Sequence, residues 1–234
     1  MNKLLVVEDD RATRFLLKQS LAGAGFAVST AADGQLGLRA LRKSAFDLVL
    51  LDVWMPRLTG LEVLAQMRSE GIAVRAIVMT SDDTPETLLR AIREQAWQFL
   101  PKPIDPRKLV QIVNDALAAS PAPPIEVLSA RPHWVELLVP CEMTSAERIQ
   151  AFMARLDAGL PENVRESVGM VFHEMLLNAV EWGGRLDPNR KVRISYLRAR
   201  RMVLYRIADP GPGFNPDELD HAAVSYAPGE GNGT

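Results

Sequence analysis

Phe46-Asp-Leu-Val-Leu-Leu-Asp52 is a short apolar run that ends on a carboxylate. A run of this length, bounded by polar residues, reads as a strand covered on both faces. Leu4-Leu-Val-Val-Glu-Asp-Asp10 repeats the pattern: four apolar residues, then acids. Runs at 26–30, 73–79 and 97–100 are also strand-like. Helical spacing fills the intervals at 11–24, 34–43, 60–68, 85–95 and 105–118. Five βα units within residues 1–119 predict an α/β fold, a doubly wound five-stranded parallel sheet with helices on both faces.

Functional groups in such a sheet gather beyond the carboxyl ends of the strands. Glu8 and Asp9 end the first strand and Asp52 ends the third. If those strands are neighbours, three carboxylates share one pocket. Like charges that close raise each other's pKa unless a cation neutralises them. Mg²⁺ is the expected cation, since it takes oxygen ligands and keeps several waters. Thr80 ends the fourth strand and Lys102 follows the fifth. A lone Asp at a strand end is usually a cap or a turn residue; the whole constellation is not explained that way.

On these residues the first half resembles a response-regulator receiver domain of the flavodoxin-like type. The matching stretches are Leu4-Leu-Val-Val-Glu-Asp-Asp10, Leu50-Leu-Asp-Val-Trp-Met-Pro-Arg-Leu-Thr-Gly60, Ile77-Val-Met-Thr-Ser81 and Phe99-Leu-Pro-Lys-Pro103. The resemblance implies that Asp52 accepts a phosphoryl group from a sensor histidine kinase. It implies that Glu8, Asp9, Asp52 and the carbonyl of Trp54 hold Mg²⁺, and that Thr80 and Lys102 contact the phosphoryl oxygens. It further implies a cis bond at Lys102–Pro103 and a readout through the Thr80 hydroxyl and the Phe99 ring. Core packing is the plain alternative for Phe99.

Residues 120–132, opened by the uncharged stretch Ala118-Ala-Ser-Pro-Ala-Pro-Pro-Ile125, read as a semi-rigid linker. Beyond it, 134–140 is strand-like. Residues 145–156 have helical spacing, with Thr144 as cap and Glu147 as its capping-box partner. Pro161 opens a longer helix whose apolar positions are Val164, Val168, Val171, Phe172, Met175, Leu176 and Ala179. Runs at 192–197 and 202–207 flank a basic hairpin at 198–201. The order suggests an α+β sandwich with one helical layer.

Familiar sites fail here. His173-Glu174 would need a second His at 177, which is Leu177. Gly211 and Gly213 lack the third glycine of a dinucleotide fingerprint, because Pro216 stands there. No P-loop and no zinc set is present. What remains is Glu174 with Asn178, four apart on one helical face, and Asp209 followed by Gly211 and Gly213. A carboxylate and an amide on a mostly buried helix need partners, and a metal-bound phosphate chain would supply them; the plain alternative is that Glu174 and Asn178 face solvent and that 209–213 is an ordinary turn.

In this order, Phe172-His-Glu-Met-Leu-Leu-Asn-Ala-Val-Glu-Trp-Gly-Gly184 and Ile207-Ala-Asp-Pro-Gly-Pro-Gly-Phe214 resemble the ATP-binding fold of histidine kinases, gyrase and Hsp90. The spacing is most similar to the anti-sigma serine-kinase branch. That resemblance implies ATP as cofactor, Asn178 on the Mg²⁺ of MgATP, Glu174 as general base, Asp209 on the adenine amino group, and Gly211 and Gly213 shaping the pocket. His173 is read as packing. Trp182 stands where that branch often has His. The family's second glycine-rich box, lid and last strands are expected beyond Gly229-Glu-Gly-Asn-Gly-Thr234, so residues 133–234 read as an incomplete ATPase domain.

Composition narrows the functional classes. The 234 residues carry 27 basic and 29 acidic side chains, a net charge of −2, and a nucleic-acid binder would be clearly basic. No helix-turn-helix stands out, and no apolar run approaches a membrane span. The acids at 8–10 interrupt any secretory h-region. Cys141 is the single cysteine, which suits a reducing cytoplasm. The leading expectation is a two-component regulator whose output half is a serine/threonine protein kinase acting on a sigma-factor-like or anti-sigma-antagonist protein. The alternative is a partner-switching module without kinase activity. Receivers also form homodimers, a state expected on resemblance alone.

Overall fold

The computed structural model describes residues 1–82, 84–119, 123–131, 133–156, 160–200 and 202–213. The first half alternates strand and helix throughout. Its elements are β1 (Lys3–Val7), α1 (Arg11–Gly23), β2 (Ala27–Ala31), α2 (Gly34–Lys43), β3 (Leu48–Asp52), α3 (Gly60–Ser69), β4 (Arg75–Thr80), α4 (Pro85–Arg93), β5 (Gln98–Pro101) and α5 (Pro106–Ala118). The sheet is parallel with order β2-β1-β3-β4-β5. Side chains alternate across a strand, so each central strand feeds two cores. Leu5, Val7, Val49, Leu51 and Val78 pack under α2 and α3. Leu4, Val6, Leu48, Leu50 and Ile77 pack under α1 and α5. All of β3 is buried, as a strand covered on both faces requires.

Polar caps set the helix starts. Asp10, Asp33, Thr84 and Asp105 accept backbone N–H groups of the first turns of α1, α2, α4 and α5. Thr59 and Glu62 form a reciprocal capping box at α3. This one is absent from the sequence reading, which located a box at Thr144 and Glu147 instead.

The second half holds β6 (Glu126–Arg131), β7 (Trp134–Pro140), α6 (Met143–Leu156), α7 (Glu162–Asn178), a π-helical turn at Ala179–Gly183, β8 (Lys191–Ala199) and β9 (Met202–Ala208). The four strands run antiparallel in the order β6-β7-β8-β9. Inward residues Val135, Leu137, Val139, Val192, Ile194 and Tyr196 pack against Ile149, Phe152, Met153, Phe172 and Leu176. The predicted sandwich with one helical layer is therefore present.

Three local expectations are corrected. Residues 126–131, read as linker, are a strand hydrogen-bonded to β7; residues 120–122 and 132 lie outside the described residues. The α6 helix opens at Met143, ahead of Thr144, and Ser145 Oγ donates to Glu142 Oε1 at 2.7 Å. On α7 only Phe172 and Leu176 are buried, while Val164, Val171 and Met175 are exposed. The sheet offers α7 a narrow aromatic strip, in which Tyr205 lies 5.0 Å from Phe172 and 5.1 Å from Tyr196. That strip covers one edge of the predicted apolar face and leaves the other open. Arg201 of the predicted hairpin and residues 214–234 lie outside the described residues.

The halves meet along one continuous core. Leu88 and Leu89 of α4 belong to the same apolar cluster as Ile125, Ile149 and Phe152. Among the described residues no helix is long and apolar enough to cross a membrane.

Candidate functional site

The sheet order makes β1 and β3 neighbours, with Val7 opposite Leu51. The next residue of each strand is an acid, so Glu8 and Asp52 stand side by side at the carboxyl edge. Glu8 is fully buried and Asp52 is 3% exposed, while Asp9 faces solvent. Oxygens of all three carboxylates lie within 4.8 Å of one another. Lys102 Nζ lies 2.8 Å from Glu8 Oε2 and 3.0 Å from Asp52 Oδ1. Its backbone N–H donates to Thr80 O at 2.8 Å, and the Lys102–Pro103 peptide is cis. Thr80 is buried at the end of β4, where its Oγ1 accepts the Asp82 N–H at 3.0 Å. Trp54 follows two residues after Asp52 with its ring half exposed.

Burial raises the pKa of both Glu8 and Asp52, against the pull of the Lys102 ammonium, and the Asp52 charge raises Glu8 further. For Lys102, burial works downward, but hydrogen bonds to Glu8 and Asp52 outweigh it and hold the ammonium above its usual pKa. One cation against three carboxylates leaves a net negative pocket. Glu8 Oε2 is buried with no hydrogen-bond partner beyond that ion pair. An oxygen-rich set with surplus negative charge and one open side fits a hard divalent ion.

Two supporting residues escaped the sequence reading. Arg14 on α1 reaches back and donates through Nη1 to the carbonyls of Glu8 at 2.6 Å and Asp9 at 2.9 Å, fixing the acidic loop. Gly60 packs directly behind Asp52: a Cβ there would lie 2.1 Å from the Asp52 carbonyl oxygen. The glycine stood inside the quoted motif, but only the tertiary approach of α3 to β3 reveals its steric role. Arg57 from the same loop pairs with the buried Asp33.

In the second half, Glu174 and Asn178 lie on the exposed side of α7, not on a mostly buried helix. His173 is half-buried and consistent with packing, and the Trp182 side chain is 77% exposed, so it walls no pocket among the described residues. Asp209 follows β9 directly, and its Oδ1 accepts the Gly211 N–H at 2.8 Å, which orients the carboxylate. Gly213 takes a φ of +74°, a conformation that glycine adopts without strain. The sequence reading missed Gly183 as a site residue. A Cβ on Gly183 would lie 2.4 Å from Asp209 Oδ1, so only glycine lets the π-helical turn after α7 rest against Asp209. The π-helical turn thus brings the Asn178 end of α7 beside the glycine-rich turn after β9. Such π insertions recur at functional sites.

Comparison with known protein families finds two matches along the chain. Residues 4–114 match the response regulator receiver domain, and residues 139–233 match the histidine kinase-like ATPase domain. Residues 4–114 are thus a receiver domain, and residues 139–233 a histidine kinase-like ATPase domain. The response regulator MprA of Mycolicibacterium vanbaalenii is 42% identical over 101 residues, 43% of this chain and 44% of that protein. The DNA-binding transcriptional regulator NtrC of Azospirillum brasilense is 35% identical over 120 residues, 51% of this chain and 25% of that protein. The chain thus spans less than half the length of these relatives. Among solved structures, the chemotaxis protein CheY4 of Vibrio cholerae is 31% identical, with 50% of this chain and 99% of that chain covered and a TM-score of 0.48.

Proposed function

We propose that the receiver domain takes a phosphoryl group on Asp52 from a sensor histidine kinase, and that phosphorylation controls the ATPase-like domain as output. The observation that carries this reading is the Lys102 ammonium, 3.0 Å from the Asp52 carboxylate and 2.8 Å from that of Glu8. A cation-binding site alone has no need of an ammonium among its ligands. A phosphoacceptor needs one, because the incoming oxygens are anionic and a positioned positive charge stabilises them. In the transfer, an Asp52 carboxylate oxygen forms the new bond to phosphorus as the donor's nitrogen–phosphorus bond breaks, and the electron pair stays on the donor imidazole. Glu8, Asp9, Asp52 and the Trp54 carbonyl are the residues that would hold Mg²⁺, which neutralises charge on the phosphoryl group. Lys102 and the Thr80 hydroxyl contact its oxygens.

In the output domain, Asn178 and Glu174 serve MgATP and its general base, Asp209 receives the adenine amino group, and Gly211 and Gly213 give the nucleotide close backbone approach. The product is a phosphorylated serine or threonine on a sigma-factor-like or anti-sigma-antagonist protein. Incubating the full chain with acetyl phosphate and Mg²⁺, and separating the species on a phosphate-affinity gel, tests the receiver half. Modification lost in Asp52→Asn supports the reading, and equal modification in that variant refutes it. A titration of MgATP, with Asp209→Asn as control, tests the output half.

The exposure of Glu174 and Asn178 beside Val171 and Met175 favours a second reading, in which the output domain captures its partner without phosphoryl transfer. Partner binding that survives Asp209→Asn while nucleotide binding is lost supports that version.

A further inference from the structure

The amino edge of the parallel sheet opens into a cavity walled by both halves of the chain. Phe46 and Asp47 precede β3, Arg75 opens β4, Gln95 and Trp97 precede β5, and Arg148 reaches in from α6. Its volume of about 660 Å³ is within the range of small-molecule sites. Asp52 stands at the other end of β3, roughly 16 Å away at about 3.3 Å per residue, so the acidic pocket has no part in this cavity.

Two guanidinium groups share the wall. Arg75 donates through Nη1 to the Ala116 carbonyl, and through Nη2 to the Ala119 carbonyl at 2.6 Å, where α5 ends. Arg148 donates through Nε to the Trp97 carbonyl at 2.8 Å and through Nη2 to the Ala96 carbonyl at 2.9 Å. These carbonyls fix the two side chains but bring no net charge. Among the described residues neither arginine has a carboxylate in ion-pair range. Asp47 on the same wall is engaged elsewhere, its Oδ2 accepting the Lys3 N–H at 2.6 Å. Burial lowers the Arg148 pKa, Glu142 opposes this, and the charge on Arg75 adds to it, so the two cations feel each other.

Fixed like charges beside an open cavity are unfavourable, and an anion between them removes the repulsion. Arg148 Nη1 and Arg75 Nε have no acceptor among the described residues, so each guanidinium keeps N–H groups for a ligand. Paired N–H groups in one plane are the geometry that phosphate and carboxylate oxygens accept. A single carboxylate neutralises one of the two cations. A phosphate group carries about −1.5 to −2 at pH 7 and matches both. Phe46 and Trp97 add aromatic surface to the same wall, and Trp97 Nε1 is a buried donor with no partner.

We propose that this cavity binds a phosphomonoester dianion through Arg75 and Arg148, so that the ligand bridges the two halves of the chain. Free phosphate and the phosphate of a small ester share this chemistry. The rings of Phe46 and Trp97 favour an ester that carries a flat base, the class of nucleoside monophosphates.

The test is calorimetric titration of the full chain with inorganic phosphate and with AMP as separate probes. Mg²⁺ is left out, because the net negative pocket around Asp52 repels phosphate when no cation is present. Saturable one-to-one binding of at least one probe is expected. Arg148→Gln should weaken it about tenfold or more. Ala73→Glu keeps both arginines and adds a carboxylate from an exposed position on the cavity wall, so it should weaken binding to a similar extent. Arg165→Gln removes the same charge from α7, outside the cavity, and should match wild type. AMP binding tighter than phosphate supports the proposal with an ester as ligand, and phosphate binding as tight or tighter supports it with the free anion. Absence of saturable binding by either probe overturns the proposal. So does binding within about twofold of wild type in Ala73→Glu, which decides alone if Arg148→Gln does not fold. AMP binding lost in Asp209→Asn but kept in Ala73→Glu belongs to the ATPase-like half and, with no phosphate binding beside it, also overturns the proposal.

Discussion

Replacing Gly60 with alanine places a methyl group where the backbone of Asp52 already is. The new Cβ would lie 2.1 Å from the Asp52 carbonyl oxygen, 2.9 Å from its carbon and 3.3 Å from the Val53 Cα. All three neighbours are backbone, so no side chain can swing away. Ordinary contact requires α3 and the end of β3 to separate by more than an ångström. Both are packed into the core beneath α2 and α3, where Leu51, Leu61 and Leu64 are buried. Overpacking of this kind costs about 1–3 kcal/mol. For a chain of this length that is roughly 2–12 °C in melting temperature. The better helix propensity of alanine recovers less than about 1 kcal/mol. Thermal unfolding by circular dichroism measures the shift, and Gly23→Ala is the matched control. Gly23 ends α1 with nothing within 4 Å of its Cβ position, so alanine there should be neutral or slightly stabilising. Phosphorylation of Gly60→Ala by acetyl phosphate should also slow, because Asp52 moves with its carbonyl. A Gly60→Ala protein that melts with wild type and Gly23→Ala would refute the steric reasoning.

Lys102→Met removes an ammonium that competes with a cation for Glu8 and Asp52; at about 1 kcal/mol per unit charge near 4 Å in water, a divalent ion gains about 2 kcal/mol. Calorimetric titration with MgCl₂ should show roughly thirtyfold tighter binding, and unchanged affinity would remove Lys102 from the ion's surroundings. Gly183→Ala pushes the turn after α7 off Asp209, so MgATP binding should weaken about tenfold or more by the same method. Gly169→Ala, with nothing within 4 Å, should leave that binding as it is. Thr59→Ala removes the capping box of α3 and should cost about 1 kcal/mol in denaturant unfolding with an unchanged slope.

Much of the receiver fold was legible because its signals are local. Apolar runs such as Leu48–Asp52 are buried on both faces, and the switch between strand and helix period is written in each unit. The acidic pocket was legible for a related reason: parallel strands end on one edge, and Glu8, Asp9 and Asp52 sit at strand ends. What was missed depends on contacts between distant parts of the chain. Strand β6 follows Pro123 and Pro124 and was read as linker, since its partner β7 lies beyond a turn. The apolar periodicity of α7 was read correctly as helical, but the number of positions buried is set by the sheet beneath it, which takes Phe172 and Leu176 and leaves Val171 and Met175 outside. Gly60 and Gly183 matter through atoms that would be present only in a substituted protein, and no periodicity records that.

The shared core bears on how far this chain is modular. Its two halves match separate families and are joined by a proline-containing segment, the arrangement of interchangeable parts. Yet Leu88 and Leu89 are side chains of the first half that belong to the apolar core of the second. A receiver cut free at the linker would carry a bare apolar surface on α4, and a grafted output domain would have to reproduce Ile125, Ile149 and Phe152 to cover it. The parts can be read separately but cannot be exchanged separately, because the joint between them is made of core rather than of linker.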